Sequence, residues 1–335
     1  MVRSLASMLM SLTTVLTIGL AGAPANCQQA DAGAPQTLSG ISKSEADFSS
    51  RAELTRRIGL YETAERDAEA AHVDMQSMLK IYSSLAALYE DAAMYAKSEA
   101  LMRREIAMLQ NGPQRELAEA IGHLAVLHIA MGDFRQAEKD ELEAMQVRQS
   151  VGDPMGTALT WNDLADIYIK ERKFKPALDY AQRAMKVLAD DPKVDPADRI
   201  IVRQTLAYAL CGLKQCAQAI PLLKDAVEME KTTYGADSLL VGNGTFLLGY
   251  VYWQNGDMED AATLMARGTA RMKVDLGWGH VVYLDAMNEY ARFLRQRGQK
   301  EAAASAEREI KMANSVVDVN SLGTRQSAFV PAGPR

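Results

Sequence analysis

Few residues in this 335-residue chain have the type and spacing to do chemistry. The four histidines are His72, His123, His128 and His280, the side chains that ordinarily titrate near neutrality. None stands at the spacing of a metal-binding pair with a third ligand. His128 falls on a packing position of the periodic pattern described below, and His123, five residues earlier, lies off that face. His280 follows Gly279 in a loop, where it reads as a local hydrogen-bonding group. There is no Gly-x-Ser-x-Gly nucleophile elbow, and Gly242-Asn243-Gly244 reads as a helix entrance rather than a dinucleotide-binding turn. The carboxylates are spread along helical faces. The chain is therefore expected to have no catalytic residue, no metal and no cofactor, and to act by binding.

The three cysteines are Cys27, Cys211 and Cys216. No Cys-x-x-Cys pattern or Cys/His cluster points to a metal. Cys211 and Cys216 flank the turn of one helical hairpin, where their Cα atoms come near bonding range. Two readings stay open: a disulfide, which export would permit, or two small apolar packing residues, the reading favoured because Cys216 takes a position filled by Tyr or Phe in other repeats.

The chemistry of compartment is clearer. Met1-Val2-Arg3 supplies a positive start, Leu5–Leu20 is apolar with Ser and Thr dispersed, and Ala21-Gly22-Ala23-Pro24-Ala25 is small. Residues 1–25 read as a secretory signal cut after Ala25, since Pro24 would follow a cut after Ala23. The alternatives are an uncleaved membrane anchor, or lipidation at Cys27, which Pro24-Ala25-Asn26 disfavours. Cleavage leaves no stable membrane span. The expected location is periplasmic or extracellular in a bacterium. Net charge is −6, with no basic run of the kind that binds nucleic acid, so no nucleic-acid partner is expected.

The elements that position these residues are helical. Apolar residues make up 48% of the chain but aromatics only 6%, a mixture suited to close helix–helix packing. Residues 26–43, rich in Gln, Ala, Gly, Ser and Pro, read as a flexible linker. From 44 to 315 the helical period runs without a convincing strand. Residues 316–335 read as a mostly disordered tail, with Val316–Leu322 a candidate to dock on the last helix.

Within 44–315 one pattern recurs. Its anchor is Thr55, Tyr89, His128, Tyr168, Leu210, Tyr252 and Leu294, at spacings of 34, 39, 40, 42, 42 and 42. Four residues on, at a predicted turn, stand Gly59, Ala93, Gly132, Arg172, Lys214, Gly256 and Gly298. Six on, at the hairpin corner, stand Tyr61, Tyr95, Phe134, Phe174, Cys216, Met258 and Lys300. Nine on stand Ala64, Ser98, Ala137, Ala177, Ala219, Ala261 and Ala303. A wedge at the corner, a small residue in the second helix and a turn between them are three separate demands repeating in phase. Together they predict an all-α solenoid of about seven antiparallel hairpins.

The motif Leu-Ala-x-Leu/Ile-Tyr followed by Gly-x-Tyr/Phe-x-x-Ala, best seen in 85–99, 124–138 and 164–178, resembles the tetratricopeptide repeat, in the longer 42-residue variety of kinesin light chains and many bacterial proteins. The resemblance covers 44–315, nearly all of the mature chain, and weakens where Leu210, Cys216 and Lys300 replace aromatics. It implies a right-handed superhelix whose concave groove binds peptide segments of other proteins.

Helical spacing from the anchor assigns groove-facing positions nine, six and two residues before it and one and two after. These include Asn243, Phe246, Tyr250, Trp253 and Gln254; Gln204, Tyr208 and Cys211; Asn162 and Asp166; Asp285, Asn288, Arg292 and Arg295; and, in the N-terminal part, Arg56, Arg57, Lys80, Ser83, Glu90 and Asp91. Tyr208, Phe246, Tyr250 and Trp253 form an expected aromatic shelf beside Arg292 and Arg295, suited to a peptide with an apolar anchor and a carboxylate. Asn162, Asn243 and Asn288 are, by resemblance, the residues that bond a peptide backbone. The competing expectation buries these aromatics between hairpins. The function expected is a non-catalytic protein–protein interaction scaffold; the alternatives are a groove for a small-molecule or cell-wall-derived ligand, or a structural spacer in an envelope assembly.

Overall fold

A computed structural model describes residues 43–278 and 280–320. The signal-like segment, the linker up to residue 42 and the tail beyond 320 lie outside the described residues. Among those described, every regular element is an α-helix. A long α1 (Lys43–Ala70) precedes six hairpins: α2 (Met75–Asp91) with α3 (Tyr95–Leu109), α4 (Gln114–Ala130) with α5 (Phe134–Ser150), and α6 (Pro154–Lys170) with α7 (Phe174–Leu188). Then come α8 (Pro196–Gly212) with α9 (Cys216–Tyr234), α10 (Leu239–Asn255) with α11 (Met258–Leu276), and α12 (Val281–Gln296) with α13 (Lys300–Asn320). The chain divides at 151/152 into two compact units. In each, helices pack against their neighbours in sequence, as in a repeat array.

The repeat pattern turns out to be a backbone pattern. In all six hairpins the N–H five residues past the anchor donates to the anchor's carbonyl: Met94 to Tyr89 (2.7 Å), Asp133 to His128 (2.9 Å), Lys173 to Tyr168 (2.8 Å), Gln215 to Leu210, Asp257 to Tyr252 and Gln299 to Leu294 (each 2.9 Å). The residue four past the anchor is left-handed in each: φ is 55° at Ala93, 79° at Gly132, 64° at Arg172, 67° at Lys214, 98° at Gly256 and 80° at Gly298. This is the Schellman closure, which satisfies the last carbonyls of the first helix and reverses the chain. Glycine adopts the conformation without strain; three hairpins impose it on residues with a Cβ.

The corner residue then opens the second helix in every hairpin, and the small residue three positions later is sealed: Ser98, Ala137, Ala177, Ala219 and Ala261 have no exposed surface and Ala303 has 1%. Helix entrances are capped by polar side chains. Asp133, Asp153 and Asp195 accept from Gln136, Gly156 and Ala197 N–H groups at 3.1, 3.0 and 2.8 Å, and the loop residues Ser238 and His280 do the same for α10 and α12.

Two boundaries differ from the sequence reading. The first predicted hairpin, with its turn at Gly59, does not form; α1 runs through Gly59 unbroken. The stretch before Gly59 has too few large apolar residues to make a packing arm. The helix is instead tied down by a stripe of acids: Glu62 accepts from the Tyr89 hydroxyl (2.7 Å) and Lys97 (3.0 Å), and Arg104 bridges Glu65 (2.6 Å) and Glu69. At the other end α13 continues to Asn320, past the expected boundary at 315.

His128, the one histidine anchor, is 3% exposed, and its Nδ1 lies 2.5 Å from Asp140 Oδ2. Gln136 holds the other oxygen of Asp140 at 2.7 Å. It is a satisfied core residue, as expected. In the unit 152–320, α10 and α11 approach unusually closely. A Cβ on Gly249 would sit 2.7 Å from the Met265 nitrogen, and one on Gly268 would sit 2.7 Å from the Gly242 oxygen. Of the two readings open for Cys211 and Cys216, the structure takes the bridge: they form a disulfide, Cα atoms 4.1 Å apart, across the turn of the fourth hairpin.

Candidate functional site

Helices α6, α8, α10 and α12 are the first arms of four successive hairpins in one unit. Their common register, set by the Schellman turns, places equivalent positions in a row. Two residues before the anchor this row reads Asp166, Tyr208, Tyr250, Arg292.

The expected aromatic shelf is closed. Phe246 has no exposed surface, and its backbone packs on Gly268, so it is a packing residue between α10 and α11. Trp253 is 5% exposed, meets Tyr250 and Phe293 edge-on at 5.7 and 5.6 Å, and donates from Nε1 to Gln296 Oε1 at 3.0 Å. Tyr290 stacks on Phe293 at 6.3 Å, completing an aromatic run that joins the fifth and sixth hairpins. Such pairs contribute about 0.5–1.5 kcal/mol each beyond the area they bury. Spacing within one helix could not show that the next hairpin covers these residues.

The expected carboxylate clamp is engaged elsewhere. Arg292 pairs with Glu289 at 2.8 Å and Arg295 with Glu307 at 2.6 Å. Asn288 is exposed, and its Nδ2 donates back to the Leu284 carbonyl at 2.9 Å.

What remains is a set of buried oxygens. Asn162 Oδ1, Tyr208 Oη, Asn243 Oδ1 and Glu289 Oε2 are buried without a hydrogen-bond partner. They come from α6, α8, α10 and α12, one from each first helix. Burial pushes the Tyr208 hydroxyl well above the ordinary phenol range, and the fields of Tyr250, Asp166 and Glu289 reinforce this. Burial likewise raises the Tyr250 hydroxyl, with Glu289 adding to the shift and Arg292 opposing it. The groups from α6, α8, α10 and α12 thus sense one another. Asp166 is raised by burial and Lys170 lowered by it, although the two pair at 3.4 Å. Glu289 too is raised by burial against the pull of Arg292.

Two members escaped the sequence reading. Glu289 stands five residues before its anchor, a position not assigned to the groove, although its three-residue spacing from Arg292 marks the same face. Glu230 lies on a second helix, α9, where no first-helix rule reaches. It inserts against Gly244 of α10 and accepts from Gln204 Nε2 of α8 at 2.9 Å, leaving Oε2 unpartnered. Among the described residues no group of three His, Cys, Asp or Glu could hold a metal ion, and no helix is long and apolar enough to cross a membrane.

Fold and repeat chemistry define the class: the described residues form an all-α array of helical hairpins with the fold of tetratricopeptide-repeat structures. Residues 116–190 match the tetratricopeptide repeat family directly. No curated protein matches the sequence. Among solved structures, the chain is similar to a kinesin light chain of Podosopora anserina with nearly identical TPR-like repeats (17% identity, 61% of this chain and 98% of that one, TM-score 0.51). It is also similar to the apo form of RapI (12% identity, 80% and 94%, TM-score 0.65). A third is the Rap conjugation gene regulator of plasmid pLS20, solved with the Phr* peptide (12% identity, 90% and 84%, TM-score 0.60). At these identities the likeness is one of fold.

Proposed function

We propose that this chain is a non-catalytic interaction scaffold, exported from a bacterial cell, that binds extended peptide segments of partner proteins along the first helices of residues 152–320. The observation that carries the reading is the set of unpartnered buried oxygens on Asn162, Tyr208, Asn243 and Glu289, one on each first helix. A buried polar group without a partner costs roughly 1–3 kcal/mol, so such groups seldom persist without a use. An extended peptide carries an N–H at every residue except proline and supplies the missing donors. A fold relative solved with a bound peptide supports the same use of the scaffold. The signal-like 1–25 and the Cys211–Cys216 bridge support the exported location.

The test is selection from a library of random 12-residue peptides displayed on phage, panned over the full-length mature protein. Enriched peptides should bind in the micromolar range, and the double variant Asn162→Ala/Asn243→Ala should weaken them about tenfold, roughly 1.4 kcal/mol. If no peptide is enriched over an unrelated helical protein, the reading fails. Recovery of the protein wholly in the cytoplasm with Met1 retained would overturn the exported location.

A further inference from the structure

We propose that the Cys211–Cys216 bridge is a redox switch: a dithiol reductant opens it in the folded protein, and opening loosens the turn of the fourth hairpin. The switch does not depend on the peptide-binding reading.

The six hairpins close with the same backbone bond, but they differ in what steadies the turn. Three have glycine at the left-handed position: Gly132, Gly256 and Gly298. Two place a residue with a Cβ there and follow it with an aromatic corner, Ala93 with Tyr95 and Arg172 with Phe174. The fourth has neither. Lys214 is left-handed at φ 67°, and the corner residue is Cys216. Here the bridge stands in for both, tying Cys211 near the end of α8 to Cys216 at the start of α9. The cysteines are only 5 residues apart, so breaking the bridge frees this turn and leaves the other five closures intact. In an array whose hairpins touch only their neighbours, such an opening stays local. Its nearest neighbour is Phe174, whose ring lies against Gly212; a Cβ there would sit 2.2 Å from Phe174 Cδ1. Helix α8 also carries Gln204 and Tyr208, so the switch acts on a helix of the candidate site.

The two ends of the bridge differ electrostatically. Cys216 is the first residue of α9, whose N-terminus receives no side-chain cap, and the helix dipole there favours a thiolate. Cys211 is the last residue but one of α8, where the dipole disfavours it. Cys216 is therefore the better leaving group. Cys211 is the sulfur attacked, and it is also the more exposed, 9% against 4%. A thiolate of the dithiol attacks Cys211 Sγ, the S–S bond breaks, the Cys216 thiolate leaves, and a mixed disulfide forms on Cys211. The reductant's second thiolate then displaces Cys211. Two electrons pass to the protein, the reductant ends as a disulfide, and the two cysteines take up the two protons that the dithiol gave up.

The test treats the oxidised full-length protein with dithiothreitol in native buffer. Thiol release should rise in proportion to dithiothreitol and should not follow the rate of global unfolding when mild denaturant is added. After reduction the circular dichroism should stay helical. Amides of residues 209–217 should exchange hydrogen about tenfold faster, while the turns at 128–134 and 252–258 keep their rates. Lys214→Gly relaxes the turn without the bridge, so reducing that variant should raise exchange at 209–217 by no more than about threefold. Glutathione, a monothiol, should leave its adduct on Cys211 and a free Cys216. Thiols that appear only as fast as the protein unfolds, unchanged exchange at 209–217, equal loosening in Lys214→Gly, or an adduct on Cys216 would each overturn the switch.

Discussion

The main-chain N–H of Lys173 donates to the carbonyl oxygen of Tyr168 at 2.8 Å, and Arg172 between them is held at φ 64°. The same closure recurs in all six hairpins, so a turn geometry, more than any side chain, is what the repeat conserves along this chain.

Three of these turns place a residue with a Cβ in left-handed backbone. Ala93→Gly should stabilise the protein by about 0.5–1 kcal/mol, the strain relieved less the extra entropy glycine loses. Gly59 predicts the reverse. It lies inside α1 with nothing within 4 Å of a built Cβ, so Gly59→Ala should stabilise by about 1 kcal/mol. Were Gly59 instead a hairpin turn, alanine would destabilise. Chemical denaturation of the two variants measures both.

The Cys211–Cys216 bridge closes a short loop, for which the chain-entropy estimate is about 2 kcal/mol. Cys211→Ser/Cys216→Ala should lose about that much, and reductant should lower the melting temperature of the wild type but not of the variant. Alkylation of either cysteine in unreduced exported protein would contradict the bridge.

Glu230, between Gln204 and Gly244, has its carboxyl pushed up to about 8 by burial, partly opposed by the Gln204 hydrogen bond. Unfolded, it ionises near its ordinary value of about 4.3. Between those values the native state holds a proton that the unfolded chain has lost, so this group's contribution to stability falls as pH rises from about 4.3 to about 8. Glu230→Gln keeps the acceptor facing Gln204 and cannot ionise. It should match the wild type near pH 4 and exceed it by on the order of 2 kcal/mol near pH 8. Thermal melts of both proteins across this range would show it; parallel curves would refute the shifted carboxyl.

Close approach of α10 and α11 makes Gly268 intolerant of a side chain. A Cβ there meets the Gly242 oxygen and the Phe246 nitrogen, both at 2.7 Å, and backbone cannot swing aside. Gly268→Ala should cost about 2–3 kcal/mol. Gly256→Ala should cost about 1 kcal/mol for a different reason, its φ of 98°.

Much of the fold was legible because its demands are local. The turn, corner and seam positions of six hairpins follow from spacing along the chain: the corner residue opens each second helix and the seam residue is sealed in each. The exception at Gly59 shows the limit. A glycine four residues and a tyrosine six residues past an anchor position resemble a hairpin, but an arm also needs apolar surface, and residues 43–58 offer little. The burial of the expected site was not legible from spacing. Tyr208, Tyr250 and Trp253, assigned to the groove by helical spacing, are each at most 5% exposed.

The sequence by itself determined the all-α repeat and the phase of its hairpins, because each depends on residues a few positions apart. Tertiary structure decided what the first helices offer. Whether Arg292 is free or paired with Glu289, whether Trp253 is open or spent on Gln296, and which oxygens are left without donors depend on contacts between hairpins. Spacing within one helix carries no record of those contacts. The sequence pointed to a carboxylate clamp, and the packed structure shows its arginines paired within their own hairpin.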